Sequence, residues 1–350
     1  MNNIRNRIEE QEKKILSRFA SLSSQTRGRN KSESLDPIRT EYMRDRDRII
    51  HSEAFRRLKH KTQVFLSPSH DLFRTRLTHT LEVSQISRTI AKALQLNEDL
   101  TEAISLGHDV GHTPFGHSGE DVIRELAIPN FKHSEQSVRV LDLLEKNGEG
   151  LNLTIEVLDG IPKHSKTGKS HILQLDEKSM PITMEAEIVR LSDTIAYMNH
   201  DIDDALKSGI FHENEIPEDI HVVLGKNRSE RIHTMIVDLI EASEGKKHIC
   251  MSERILEKTE SLRNFLFANV YKHPQIMIEM DRAKNILAEL FNFLKKNINI
   301  VYDQLSNAKY YADPDELRAL VDFIALMTDN EVMKLYFKHF IPKSFLFANS

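Results

Sequence analysis

An all-α fold is predicted by three observations. Apolar residues recur at helical spacing along most of the chain, only 10 prolines and 12 glycines interrupt its 350 residues, and 29% of those residues are charged against 39% hydrophobic. That balance suits a helical protein with a substantial buried core better than a disordered or strand-rich one. The length allows one large domain or two ordinary ones. No run of about 18 apolar residues and no basic start followed by an apolar stretch is present, so neither a membrane span nor a secretory signal is indicated, and a cytoplasmic location is the expectation. The single cysteine, Cys250, cannot form an intramolecular disulfide, which excludes thiolate zinc modules and leaves any metal to histidine and carboxylate. A net charge of -5 argues against a polycation that coats nucleic acid.

Residues 1–36 are polar, and "SSQTRGRNKSESLDP" has the Ser, Gly and charge content of a mobile arm. From 41 to 62 the chain has helical bias, with Ile49, Ile50, Ala54, Phe55 and Leu58 near helical spacing and Arg and Asp alternating over 44–48 on a charged face. After "SPSHDLFRTR" a long helix is predicted over 76–94. Its stripe of Val83, Ile86, Ile90, Ala93 and Leu94 extends one turn back to His79, which therefore faces inward. Asn97 is a good N-cap for the next helix, with Glu98 and Asp99 in its first turn and Leu100, Ala103, Ile104 and His108 on its inner face. Pro114 is expected to end that helix, and Ser118 to open another with Asp121 as a capping box.

Residues 134–146 are expected to be helical. The stretch 147–182, with four glycines, several lysines and two prolines, reads as a long excursion over the surface. Strong periodicity returns in "ITMEAEIVRLSDTIAYMNHDIDDALKSG", where Ala186, Val189, Asp193, Tyr197 and Asp201 share one face and Ile188, Leu191 and Ile195 another. Further helices are predicted near 231–243, 252–270, 275–305 and 314–339. The expected organisation is an arm over 1–36, a core over 37–215 and a C-terminal helical region over 216–350.

The chemistry concentrates in "SLGHDVGHTPFGHSGE", residues 105–120, which holds three histidines, an aspartate and a glutamate among four of the chain's 12 glycines. A lone inward histidine is more often a hydrogen-bonded core residue than a ligand. Here three helices each place a histidine or an aspartate on an otherwise apolar face: His79, the pair His108 and Asp109, and Asp193. Burying such groups without compensation costs several kcal/mol each, whereas one shared cation satisfies them all. Two imidazoles and two carboxylates suit Mn, Fe, Co, Ni or Zn and, less comfortably, Mg. Four protein ligands leave room for water and a phosphate oxygen, as metal-assisted phosphoester hydrolysis requires.

The order His, His-Asp, Asp is that of the HD phosphohydrolases. The motifs "RDRDRIIHSEAFRRLKHKTQVF", "RTRLTHTLEV", "GHDVGHTPFGHSGE", "FKHSEQSVRVL", "RLSDTIAYMNHDIDDAL" and "VDFIALMTDN" resemble the deoxyguanosine triphosphate triphosphohydrolases, above all their dGTPase-like bacterial subfamily, over about residues 40–340. The resemblance implies an HD-domain helical core holding one divalent ion per subunit through His79, His108, Asp109 and Asp193. It implies that His117 is catalytic and oriented by Glu120, with His112 and His133 along the triphosphate and the reacting phosphorus. Arg76 and Tyr197 match phosphate-side contacts, and Gln63 and Asp201 match groups that read the deoxyribose.

Further implications are a dNTP substrate cleaved between the α-phosphorus and the 5'-oxygen, a homo-oligomer in which dimers build tetramers or hexamers, and an activating dNTP at an intersubunit site. The basic run "RRLKHK" at 56–61 serves such a site or is solvated, and His164 in "GIPKHSKTG" receives no role. Rival expectations are another HD phosphohydrolase, such as a 5'-nucleotidase or a cyclic-nucleotide phosphodiesterase, and a non-catalytic regulator that binds nucleotides or, weakly, single-stranded nucleic acid.

Overall fold

The computed structural model describes residues 4–64, 73–165 and 180–342. These carry sixteen α-helices and, among the described residues, no strand, only isolated bridges pairing Arg29 with Thr154 and Thr62 with Thr75. The all-α expectation holds. The helices begin with α1 (Ile4–Ile15), α2 (Glu41–Ile50), α3 (Glu53–Arg57), α4 (Arg76–Ala93), α5 (Glu98–Gly107), α6 (His117–Leu126), α7 (His133–Arg139), α8 (Ile155–Lys163) and α9 (Met184–Lys207). They continue with α10 (Glu218–Leu224), α11 (Arg228–Ser243), α12 (Glu253–Leu266), α13 (Pro274–Lys296), α14 (Ile298–Asn307), α15 (Glu316–Leu326) and α16 (Asp329–Phe340). No helix among the described residues is long and apolar enough to cross a membrane.

The centre is α9, which is buried on nearly every side. Ile188, Leu191, Ile195, Met198 and Ile202 are buried on one side, and Ala186, Val189 and Ala196 on others. Helix α4 packs against both α5 and α9, α2 lies on α5, and α8 closes against α5, α7 and α9. The starts are set locally. Asn97 accepts the Leu100 amide, Thr183 accepts the Ala186 amide, and Ser52 breaks the predicted helix over 41–62 by capping α3 at Phe55. Likewise 275–305 divides at Asn297, and 314–339 divides at Thr328, whose side chain accepts the Glu331 amide.

Two expectations are corrected by burial. The mobile arm expected over 1–36 is, from residue 4 onward, tied into the body. The Glu12 carboxylate accepts the Ser23 amide at 2.8 Å and the Ser23 hydroxyl at 2.7 Å, and Arg29 pairs with Glu41 at 2.6 Å and donates to the Asn152 carbonyl at 2.6 Å. Polar composition suggested solvation, but these charges meet partners inside the protein. The surface excursion expected over 147–182 is interior in its first half, with Leu151, Leu153, Val157 and Ile161 all buried. Residues 166–179 of it lie outside the described residues.

The C-terminal helices grip α6 and α7, the two helices that follow the 105–116 segment. Asp322 of α15 is fully buried and accepts Gln136 at 2.9 Å and Arg139 at 2.7 Å, both on α7. Lys284 of α13 donates to Asp121 of α6 at 2.7 Å. Helix α7 also presses on the turn after α5. A Cβ at Gly111 would lie 2.1 Å from the Ser137 nitrogen and 2.4 Å from the Gln136 carbonyl carbon, both backbone. Gly111→Ala is therefore expected to cost about 2–3 kcal/mol through overpacking, read as a lower urea midpoint with an unchanged denaturant slope.

Candidate metal centre and active site

Helix α5 ends at Gly107, well before Pro114, which does not terminate it as expected. Nine residues then turn the chain back. The His112 amide bonds to the Asp109 carbonyl at 3.0 Å, and the Thr113 hydroxyl donates to the Gly116 carbonyl at 2.8 Å. Phe115 and Gly116 follow with φ of 60° and 58°. A left-handed phenylalanine costs about 1–2 kcal/mol and persists only when its surroundings hold it, whereas Gly116, with ψ of -130°, occupies a region open to glycine alone. Because of this reversal α6 starts at His117 with Gly116 as its N-cap, two residues earlier than the expected Ser118 cap.

The turn places Asp109 at the middle of the buried polar cluster. Its Oδ2 is 2.7 Å from Arg76 Nη1, and five imidazoles lie within 4 Å of the carboxylate: His108 at 3.4 Å, His112 at 3.8 Å, and His79, His133 and His164 at 3.9 Å. Burial opposes ionisation of Asp109, but His108, His112 and Arg76 outweigh it and hold its carboxyl well below the usual range. Asp193 on α9 is 3.1 Å from His79 Nε2 on α4. Burial opposes its ionisation too, and the hydrogen bond from His79 keeps it low.

The donor atoms of His79, His108 and Asp193 lie within 4.8 Å of one another, as do those of His108, Asp109 and His164. His108 belongs to both groups. Its Nδ1 lies 2.6 Å from the Ser105 carbonyl and must carry the proton, so Nε2 bears a lone pair; that atom is buried and has no partner among the described residues. Burial lowers the affinity of His108 for a proton and keeps the ring neutral. An unpaired imidazole lone pair beside two ionised carboxylates is what a divalent cation requires, and this mixed donor set fits Mn, Fe, Co, Ni or Zn.

Next to it stands a second group, His112, His117, Glu120 and His133. His117 Nδ1 and His133 Nδ1 both meet Glu120 Oε1, at 2.9 and 2.8 Å, while Arg124 holds Oε2 at 2.6 Å. Glu120 is ionised despite burial because His133 and His117 favour the carboxylate. The His117 side chain is 75% exposed over a Glu120 that is 1% exposed, so an anchored carboxylate orients an imidazole that solutes can reach. Burial opposes the charge on His133, but Glu120 prevails and raises its affinity for a proton. His112 stacks on His133 with centroids 3.8 Å apart, and burial with Arg76 keeps it neutral.

The remaining predicted residues surround these groups. Arg76 is buried on Asp109, and Gln63 lies with its carbonyl close to Gly116 and with Oε1 buried without a partner among the described residues. Tyr197 shares the α9 face of Asp193, and burial and that aspartate raise its phenol well above the ordinary value. Asp201 accepts the Tyr271 hydroxyl at 2.5 Å and lies 2.7 Å from His200 Nδ1.

Three residues given no role by the sequence also take part. His164 Nδ1 is 2.6 Å from the Ile161 carbonyl and Nε2 is 3.2 Å from His133 Nε2, and burial beside His108 pushes it down to about 3. His108 and His164 thus use one device, a C-terminal histidine bonded to the carbonyl three residues back. That repeated placement is the signal that could have found His164. His200 Nε2 meets His79 Nδ1 at 2.9 Å, and its position seven residues after Asp193 places it on the same helix face. Tyr271 lies in a π-helical turn after α12 and had no local signal.

Comparison with known proteins shows the family. A family model described as "HD domain" matches residues 76–198, and one described as "Phosphohydrolase-associated domain" matches 249–338. A deoxyguanosinetriphosphate triphosphohydrolase-like protein of Desulfatibacillum aliphaticivorans is 48% identical, covering 97% of this chain and 98% of its own. One of Caldanaerobacter subterraneus is also 48% identical, covering 99% and 98%. A crystal structure of a phosphohydrolase from Bacteroides thetaiotaomicron superposes with a TM-score of 0.52 at 16% identity, over 83% of this chain and 66% of that one, which is a likeness of fold.

If the cluster holds a cation, removing it with a chelator should lower the melting temperature and adding back Mn should restore it, by about 3 kcal/mol at a hundredfold excess over Kd. Asp193→Ala should emerge from purification depleted of metal by elemental analysis, and full occupancy would remove Asp193 from the ligand set.

Proposed function

The chain belongs to the deoxyguanosinetriphosphate triphosphohydrolase-like family of HD phosphohydrolases, and on that premise we propose that it is a metal-dependent dNTP triphosphohydrolase. The reaction cleaves between the α-phosphorus and the 5'-oxygen and yields a deoxynucleoside and inorganic triphosphate. The observation that carries this reading is the adjacency of the unpaired His108 lone pair, with its carboxylate neighbours, to an exposed histidine anchored by a buried glutamate.

His79, His108, Asp109 and Asp193 would hold the ion. When bound, it supplies Lewis acidity toward a phosphoryl oxygen and makes a nearby water more acidic. His117, held by Nδ1 to Glu120, presents Nε2 as the general acid or base for the water or the leaving 5'-oxygen. His133, whose proton affinity Glu120 raises, and His112, whose proton affinity burial lowers, offer a donor and a second contact along the phosphates. Arg76 neutralises Asp109 at rest, and its other guanidinium nitrogens face the triphosphate. Tyr197 supports the phosphates, and Gln63 and Asp201 contact the deoxyribose. An activating dNTP between subunits of a homo-oligomer completes the proposal.

The decisive assay supplies each dNTP alone and all four together to the Mn-loaded protein and separates products by anion exchange. Triphosphate with deoxynucleoside is the expected pair, and turnover confined to the mixture reports activation. Orthophosphate, or hydrolysis of monophosphates alone, replaces the reading with that of another HD phosphohydrolase. His117→Ala should retain metal and lose on the order of 100-fold in kcat; an undiminished kcat removes His117 from catalysis.

A further inference from the structure

The motif "VDFIALMTDN" at 321–330 and the basic run at 56–61 have no task in the mechanism above, yet they meet beneath it. Asp329, the first residue of α16, is half-buried. Its Oδ1 accepts the Phe115 amide at 2.9 Å and its Oδ2 accepts the Thr62 amide at 2.8 Å. Lys61 is 1% exposed, and its ammonium donates to the Ala325 carbonyl at 2.7 Å and to the His112 carbonyl. The Lys61 carbonyl in turn accepts the amide of Arg76 at 3.1 Å. Arg57 of the same run pairs with Glu331 at 2.7 Å, so this part of the run is neither free for a nucleotide nor simply solvated.

Apart from α15, each segment this node touches carries or borders a residue of the proposed machinery. Phe115 is the left-handed residue two before His117, the His112 carbonyl belongs to the same turn, Arg76 opens α4, and Thr62 precedes Gln63. We infer that Asp329 and Lys61 are positioning residues: the corner between α15 and α16 clamps the 112–116 turn in its left-handed form and so sets where His117 stands over Glu120. Neither residue touches substrate. The turn is tied to the corner directly, from Phe115 to Asp329, and through Lys61 between the His112 and Ala325 carbonyls, and two ties from different sides fix its orientation.

The catalytic part of this inference rests on the function proposed above, and the test separates the two. In Asp329→Asn one acceptor becomes an NH2 group facing a backbone N–H, with almost no change in volume. Glu331→Gln serves as the control, since it weakens the same helix start, where Glu331 accepts the Thr328 amide at 2.8 Å, without touching the turn. Metal content, melting temperature, kcat, KM and hydrogen exchange over residues 110–118 are measured on both full-length variants.

The expected result for Asp329→Asn is retained metal, faster exchange over 110–118, and a kcat lowered by about tenfold to 100-fold with a smaller change in KM. Glu331→Gln should show native exchange there and a kcat within about twofold of the parent. Exchange over 110–118 that stays native in Asp329→Asn overturns the clamp, and so does a kcat loss matched by Glu331→Gln at an equal melting shift. If the parent protein hydrolyses no dNTP, the proposed function falls, and the exchange comparison alone still decides whether Asp329 holds the turn.

Discussion

The structure depends on one ionised group kept out of water. Asp109 is buried at the centre of the fold against a single guanidinium and five imidazoles. A carboxylate so placed is tolerated only with its charge answered on every side. Helix α4 supplies Arg76 and His79, the 108–112 turn supplies two histidines, α7 supplies His133, and the end of α8 supplies His164. The packing of α4, α5, α7, α8 and α9 can be understood as the scaffold that brings these answers to one point. The histidines then need answers of their own, and those come from carbonyls at helix ends, from Glu120, and from His200.

Glu120 solves a related problem with one oxygen. It orients an exposed imidazole and raises the proton affinity of a buried one, and Arg124 holds its second oxygen. His112 and His133 belong to both surroundings: burial lowers the proton affinity of His108, His112 and His164 beside Asp109, whereas Glu120 raises that of His133.

Periodicity made the helices legible because burial and helical spacing act together along α4, α5 and α9. The residues whose chemistry is local were also legible: His79, His108 and Asp193 stand on apolar stripes, and the glycines of 105–120 announce a tight return. The illegible parts depend on partners distant in sequence. Composition made residues 1–36 look solvated because Glu12 and Arg29 find Ser23, Asn97 and Asn152 only after folding. Residues 147–165 looked like loop because of their glycines and charges, although Leu151, Leu153, Val157 and Ile161 are buried. His164 and His200 received no role from the sequence although His200 lies within "RLSDTIAYMNHDIDDAL", because their contacts with His133 and His79 form only when α7 meets α8 and α4 meets α9.

The bonds that hold the 112–116 turn have a temporal consequence. Phe115 and Asp329 are 214 residues apart, Lys61 and Ala325 are 264 apart, and Thr62 and Asp329 are 267 apart. Loop closure over such spans is among the slower steps of folding, because chain entropy is lost before the contacts repay it. During synthesis from the N-terminus, every residue of the His and Asp cluster leaves the ribosome before the acceptor for the Phe115 amide exists. The nascent chain can therefore gather its central helices early, while the segment bearing His117 locks only after residues 325–329 have emerged.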